Sequence, residues 1–387
     1  MKPTDLIRFF LTALLSLWAF AAQAQLSIEI TGAGANRFPV AIAAMEGESQ
    51  LPRSVTEVVR ADLERSGLFS LVELGPTPLS EGALPDYAYL RTRAADAVAV
   101  GSVRDMGAGR FEVRMRLYDT RQEAQLDAIV LTMTPDQYRA TGHRIADVIF
   151  EKITGLKGVF STRIAYVVKS GSNSYKLQIA DSDGANAQTA LNSREPIISP
   201  AWSPDGAMLA FYTYAENGFT IWTMSPDGSD LTQRTFGPSD ARYPTFTPDG
   251  KQILYSADEE GGYQVWSLDV TGAAAPRQLT VADETGYEIP LTPYFRGFGN
   301  AVYPTLSPDG TKLAFVVDGP MDALVIRDVA ARGDLAITYT ADTLGAPVWA
   351  PDGASLYVAG LTGGKGLLAQ AFPDGADAKI LVKGGDV

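Results

Sequence analysis

Along residues 161–387, short apolar runs alternate with turn residues at a repeating interval. Ser-Pro-Asp-Gly or a close variant stands at Ser203–Gly206, Thr247–Gly250, Ser307–Gly310 and Ala350–Gly353, spaced by 44, 60 and 43 residues. An apolar triplet follows each one: Leu209-Ala210-Phe211, Ile253-Leu254-Tyr255, Leu313-Ala314-Phe315 and Leu356-Tyr357-Val358. Proline presets φ at the first central turn position, Asp tolerates the second and Gly takes the left-handed conformation, so each tetrapeptide reads as a tight hairpin turn. A second turn series falls at Asp183-Gly184, Asp227-Gly228, Thr271-Gly272, Arg332-Gly333 and Asp374-Gly375. Its members follow β-rich segments such as Phe219–Met224 and Tyr263–Leu268. Two turn series sharing one period, with four short strands per repeat, predict the blades of a β-propeller. The one long interval comes from extra residues between Asp283 and Gly299, rich in Gly, Pro and aromatics, which read as an insertion on a loop face.

Residues 25–160 lack this period and read as α/β. Leu26-Ser27-Ile28-Glu29-Ile30 alternates like a strand, and Pro39–Ala44 is a short apolar strand. Leu51–Ser66 predicts a helix with Val55, Val58, Val59 and Leu63 on one face and Gly67 as its stop. Ala97–Val103, Phe111–Tyr118 and Leu126–Met133 predict strands, the first two joined by a turn at Met106–Gly109. Thr134-Pro135-Asp136 then opens a helix running to Gly155, with Ile145, Val148, Ile149 and Ile153 inward. The expected domains are 25–160, an α/β N-terminal domain, and 161–387, the all-β C-terminal propeller repeats.

Residues 1–24 read as a signal peptide. Lys2 and Arg8 precede the apolar run Phe9–Phe20, and Ala21-Ala22-Gln23-Ala24 has the small-residue spacing of a cleavage site. Cleavage after Ala24 leaves Gln25 as the mature N-terminus. The run is shorter than the roughly 20 residues a bilayer span needs, so the mature chain is expected to be exported and not membrane-spanning.

Charge and composition narrow the chemistry. Lys plus Arg number 32 against 45 Asp plus Glu, a net charge of -13, which disfavours nucleic-acid binding. Nine of the acids, Asp181, Asp183, Asp205, Asp227, Asp249, Asp269, Asp309, Asp352 and Asp374, sit in the repeated turns, so much of the acidity is turn chemistry. Cysteine is absent, which removes disulfides, thiolate zinc sites and cysteine nucleophiles. The single histidine, His143, is expected to be a solvated helix residue, off the face that carries Ile145 and Ile149. No Gly-x-Ser-x-Gly elbow occurs. Gly363-Gly364-Lys365-Gly366 lacks the first glycine of a phosphate loop, and Asp181-Ser182-Asp183-Gly184 lacks the distal Glu of a calcium loop.

The junction Phe150-Glu151-Lys152-Ile153-Thr154-Gly155-Leu156-Lys157-Gly158-Val159-Phe160-Ser161-Thr162-Arg163-Ile164-Ala165-Tyr166-Val167-Val168 resembles the same region of the TolB family, the periplasmic component of the Tol-Pal envelope system. So does Pro196–Gly206. The resemblance implies a non-enzymatic periplasmic scaffold with a six-bladed propeller and no cofactor. It implies that the lipoprotein Pal binds at the propeller's channel mouth and TolA binds through the mature N-terminal segment, Leu26, Ser27, Ile28, Glu29 and Ile30. Further partners would be other outer-membrane lipoproteins or porins, and the system supports outer-membrane invagination at cell division. Carried over by position, the Pal surface falls on loops leading into the innermost strands: Glu195, Ser199, Asp240, Arg242, Tyr243, Asn300, Val302 and Tyr303, with Thr343–Ala346 in the last repeat. Arg242, Tyr243 and Tyr303 are the anchors expected there, since Arg and Tyr are favoured at interfaces. Channel carboxylates at Glu195, Asp240 or Asp342 offer a secondary place for Ca²⁺.

The chain departs from the family in its count of repeats. Inner strands are marked by Pro200, Pro244, Pro304 and Pro347, whereas five strands follow turns of this type, counting Ile164–Val168. Five repeats are visible, so the chain is expected to be truncated or its ring five-bladed or open. The alternative to a scaffold is a propeller-containing hydrolase, or the gating domain of a serine peptidase without its catalytic domain.

Overall fold

The computed structural model describes residues 37–386 except 75–78, 216–217, 238–239, 259–261, 281–299 and 331–335. The signal peptide with its Ala24–Gln25 cleavage point, the Leu26–Ile30 segment and all of the 283–299 insertion therefore lie outside the described residues.

The N-terminal domain is built from β1 (Phe38–Ile42), α1 (Val55–Arg65), β2 (Phe69–Leu71), α2 (Tyr87–Thr92), β3 (Ala97–Gly107), β4 (Arg110–Asp119), β5 (Ala124–Met133) and α3 (Tyr138–Thr154). Its sheet has the order β2-β1-β3-β4-β5; β1 runs parallel to both neighbours, and β3 to β5 form an antiparallel meander. Helix α1 starts at Ser54, whose Oγ accepts from the Glu57 N–H at 3.0 Å. A short 3-10 turn at Pro135–Gln137, held by a Thr134/Gln137 capping box, feeds α3, and Gly155 ends α3 in the left-handed conformation. Val55, Val59, Leu63, Ile145 and Ile149 pack with Phe69, Val113, Met115 and Leu117 into one core. Gly142 lets the helices approach: a Cβ there would sit 2.6 Å from Val58 Cβ.

Residues 163–386 form five blades in a propeller arrangement. The second, third and fourth blades are four-stranded sheets whose innermost strands are Ile197–Trp202, Asp240–Phe246 and Asn300–Leu306. In the fifth blade two short pieces, Thr343–Leu344 and Val348–Trp349, take the inner position. The first blade has three strands among the described residues, Arg163–Gly171, Ser174–Asp181 and Gln188–Ser193. Four inner strands against five blades is the inequality that the turn series predicts. Each blade alternates its buried residues between neighbours, so Tyr212, Ile221, Ile253 and Tyr255 share one cluster while Phe315, Val325, Leu254 and Val265 share the next.

The repeated turns form as their chemistry predicts. In the first, the Ser203 hydroxyl donates to Asp205 Oδ1 at 2.6 Å and accepts from the Met208 N–H at 2.8 Å, while Gly206 has φ 69°. Thr247-Asp249 and Ser307-Asp309 repeat the hydroxyl-to-carboxylate bond. At Ala350 the hydroxyl is missing, and Asp352 keeps only its bond from the Ala354 N–H.

The two domains dock through α3. Asp147 accepts from the Phe160 and Ser161 N–H groups at 2.7 and 3.1 Å, fixing the connecting segment. Arg139 donates to Asp181 and Asp183 in the first blade. His143 is 2% exposed, with Nδ1 2.5 Å from Asp62 Oδ2, so the expectation of a solvated histidine is corrected. The helix packs against α1 through Gly142 and His143 as well as on its own sheet, and a single apolar stripe reports only the sheet side.

Candidate functional site

The residues before Pro200, Pro244 and Pro304 share a backbone state. Ser199, Tyr243 and Tyr303 have φ values of 48°, 56° and 55°, in the left-handed region that non-glycine residues seldom occupy. At each point the pairing register of the inner strand slips, between Ala210 and Tyr212, Arg242 and Thr245, and Val302 and Thr305 on the strands concerned. These are bulges, which bend a strand and re-aim a side chain. Ile197–Ser199, Asp240–Tyr243 and Asn300–Tyr303, read as loop residues from the sequence, are therefore parts of the inner strands themselves, and the same irregularity recurs in three consecutive blades.

The bulges bring aromatic side chains together across blades. The Tyr243 and Tyr303 rings lie 4.2 Å apart at a tilt of 49°, and Tyr212 meets Tyr243 edge-on at 5.5 Å. Tyr212 also packs against Phe219 at 5.4 Å. Such contacts are worth about 0.5–1.5 kcal/mol each beyond the area they bury. Burial, with Tyr243 close by, pushes the Tyr303 phenol up to about 12, and burial raises Tyr212 as well. These hydroxyls therefore stay protonated as hydrogen-bond donors across the physiological range.

Arg242 is held beside this cluster. Its guanidinium sits over the Phe219 ring at 4.5 Å and the Tyr263 ring at 5.2 Å, and pairs with Asp240 Oδ2 at 2.5 Å. Asp240 also accepts from the Tyr263 hydroxyl at 2.7 Å and the Phe219 N–H at 3.0 Å. Burial works to raise the Asp240 pKa, but these donors outweigh it and leave it lowered. Among the described residues Glu195, Asp240 and Asp342 form no common ligand group.

The eight positions singled out from the sequence thus divide. Glu195 and Ser199 are exposed, and Arg242, Tyr243 and Tyr303 are half-buried and bear on one another. Asp240 and Asn300 work as clasps to the preceding blade, since Asn300 Oδ1 accepts from the Tyr263 N–H at 3.0 Å as Asp240 does from Phe219. Val302 is buried with Val316, Leu324 and Val358, so its side chain faces the core. Sequence reasoning missed Tyr212, Phe219 and Tyr263, which come from the second and third strands of blades and complete the aromatic set. Their recurrence in the apolar runs Leu209–Ala215, Gly218–Met224 and Tyr263–Asp269 is the signal that could have found them.

An α/β domain docked on a five-bladed propeller, with an aromatic cluster on the inner strands, defines the class of this protein. Comparison with known proteins sharpens this class. Residues 26–126 match the family model described as the TolB amino-terminal domain, and residues 150–223 match the TolB beta propeller domain, so the TolB family resemblance read from the sequence is borne out. Curated relatives named Tol-Pal system protein TolB are similar to it: that of Aromatoleum aromaticum is 61% identical over 207 residues, covering 54% of this chain and 48% of its own. That of Dechloromonas aromatica is 55% identical over 215 residues, covering 56% and 50%. The chain spans about half the length of the curated relatives it matches. The crystal structure of TolB from Acinetobacter baumannii shares the fold, with a TM-score of 0.51 at 24% identity over 93% of this chain and 97% of that one. Among the described residues, no helix is long and apolar enough to cross a membrane.

Proposed function

We propose that this chain is a non-enzymatic periplasmic scaffold of the Tol-Pal system. It binds Pal at the inner-strand surface of the propeller and TolA through the mature N-terminal segment, and so supports outer-membrane invagination and integrity during division. Residues 25–160 and 161–387 are its two working units. The observation that carries the reading is the left-handed, bulged backbone repeated at Ser199, Tyr243 and Tyr303. Strained conformations of this kind persist where the surroundings over-determine them, and they concentrate at binding surfaces. Here they gather tyrosines and one stacked arginine, the residue types that dominate interface hot spots. A pre-bent surface loses little conformational freedom on binding.

Calorimetry with purified Pal tests the reading. Tyr303→Ala, checked for folding by circular dichroism, should weaken binding by about tenfold or more, the loss of one hot-spot side chain. Unchanged affinity in the folded variant moves the Pal surface away from the inner strands. Deleting residues 25–31 should abolish TolA binding and leave Pal binding in place; loss of both would point to a folding defect.

A further inference from the structure

Where α3 meets the first blade, the chain's single imidazole lies among three carboxylates. His143 Nδ1 is 2.5 Å from Asp62 Oδ2, and an ionised carboxylate can only accept, so Nδ1 donates and Nε2 points the other way. That nitrogen is buried without a hydrogen-bond partner. It faces Asp181 Oδ2 at 3.9 Å, and one ligand atom from each of His143, Asp181 and Asp183 lies within 4.8 Å of the others. Two atoms opposed at that separation are too far apart for a hydrogen bond, yet they are spaced as two ligands of one ion can be when each bond is about 2.0–2.2 Å. Burying an unpaired ring nitrogen opposite a carboxylate costs free energy unless something bridges them.

We propose that this junction is a divalent-cation site of the zinc class, liganded by His143 Nε2, Asp181 and Asp183. Asp62 acts from behind as the carboxylate that orients the imidazole, the arrangement that metal-binding histidines favour. Mixed nitrogen and oxygen donors suit Zn²⁺ and its first-row neighbours better than Ca²⁺ or Mg²⁺. The guanidiniums of Arg139 and Arg65 stand against these carboxylates, Arg65 at 3.8 Å from Asp183, while Asn186 Nδ2 donates to Asp181 Oδ2 at 2.7 Å and the Ala185 N–H to Asp183 Oδ1 at 3.0 Å; a carboxylate oxygen keeps a second lone pair for an ion. Arg139 side chain is 20% exposed and can swing outward, after which three carboxylates, Arg65 and a divalent ion sum to zero charge. The ligands come from both domains, so the ion ties α3 to the first blade and fixes the domain angle.

With no cysteine and one histidine, the full chain free of any affinity tag gives an unambiguous readout. Co²⁺ added as a paramagnetic probe should shift and broaden the two carbon-bound imidazole proton signals, saturating at one equivalent, and Zn²⁺ should displace it. Asp183→Asn should weaken Zn²⁺ binding by about tenfold or more. If that variant fails to fold, Arg139→Met decides the matter, because removing the competing cation should raise the affinity. Imidazole signals unmoved by excess Co²⁺, a titration unaltered by Asp183→Asn, or an affinity not raised by Arg139→Met would each overturn the proposal.

Discussion

The inner strand Asp240–Phe246 ends in two different ways. At its start, Asp240 is bonded to Phe219 and Tyr263, and Tyr243 packs on Tyr212 and Tyr303, so all of these contacts cross to another strand or blade, and only the Arg242–Asp240 pair is local. At its finish, Thr247, Asp249, Lys251 and Gln252 satisfy one another within a single turn. The local end folds from its own residues and repeats almost unchanged around the propeller. The long-range end holds a strained backbone in place through its neighbours, and that end carries the candidate binding surface. Order that depends on several blades at once can be disturbed by a partner; order inside one turn cannot.

Replacing Tyr243 with Ala should give the largest effect. It removes a ring from two inter-blade clusters and should cost about 3 kcal/mol of propeller stability in urea unfolding. Asp240→Ala comes next, leaving Arg242, the Tyr263 hydroxyl and the Phe219 N–H without their acceptor, at a cost of about 2 kcal/mol by the same measurement. Gly250→Ala in the local end should cost only about 1 kcal/mol, because the new Cβ would meet only Pro204 Cδ at an ordinary 3.7 Å and the penalty is that of a left-handed alanine. A turn variant as damaging as Tyr243→Ala would erase the contrast between the two ends.

The smallest effect is one of pH. The Ser307 hydroxyl, followed by the backbone and side chain of Thr311, lowers the Asp309 carboxyl to about 2 from an ordinary value of 3.8. A depressed carboxyl stabilises the fold fully above its unfolded value, and that contribution is lost as the pH falls through the folded one. Acid unfolding followed by circular dichroism should therefore show a slightly shallower dependence between about pH 4 and 2 in Asp309→Asn, while carbon NMR should place the native Asp309 midpoint near 2.

What the sequence disclosed follows the same division. The Pro-Asp-Gly turns, the helix ending at Gly155 and the meander β3 to β5 are written in adjacent residues, and each forms where its pattern predicts. The location of the inner-strand surface was legible from the prolines at 200, 244 and 304. Its conformation was not, because nothing in Arg-Tyr-Pro or Val-Tyr-Pro announces a left-handed tyrosine; the neighbouring blades impose it. Val302 and His143 show the same limit, since each is buried by a contact from an element distant in the chain.

The clasps at Asp240 and Asn300 give assembly a direction. Each accepts from a backbone N–H in the blade made before it, Phe219 in one case and Tyr263 in the other. A chain that emerges from its N-terminus can therefore lock its third and fourth sheets onto a finished predecessor, without waiting for residues still to come. Such vectorial growth keeps few unpaired edges exposed at any moment, which limits the aggregation that threatens slow-folding β proteins.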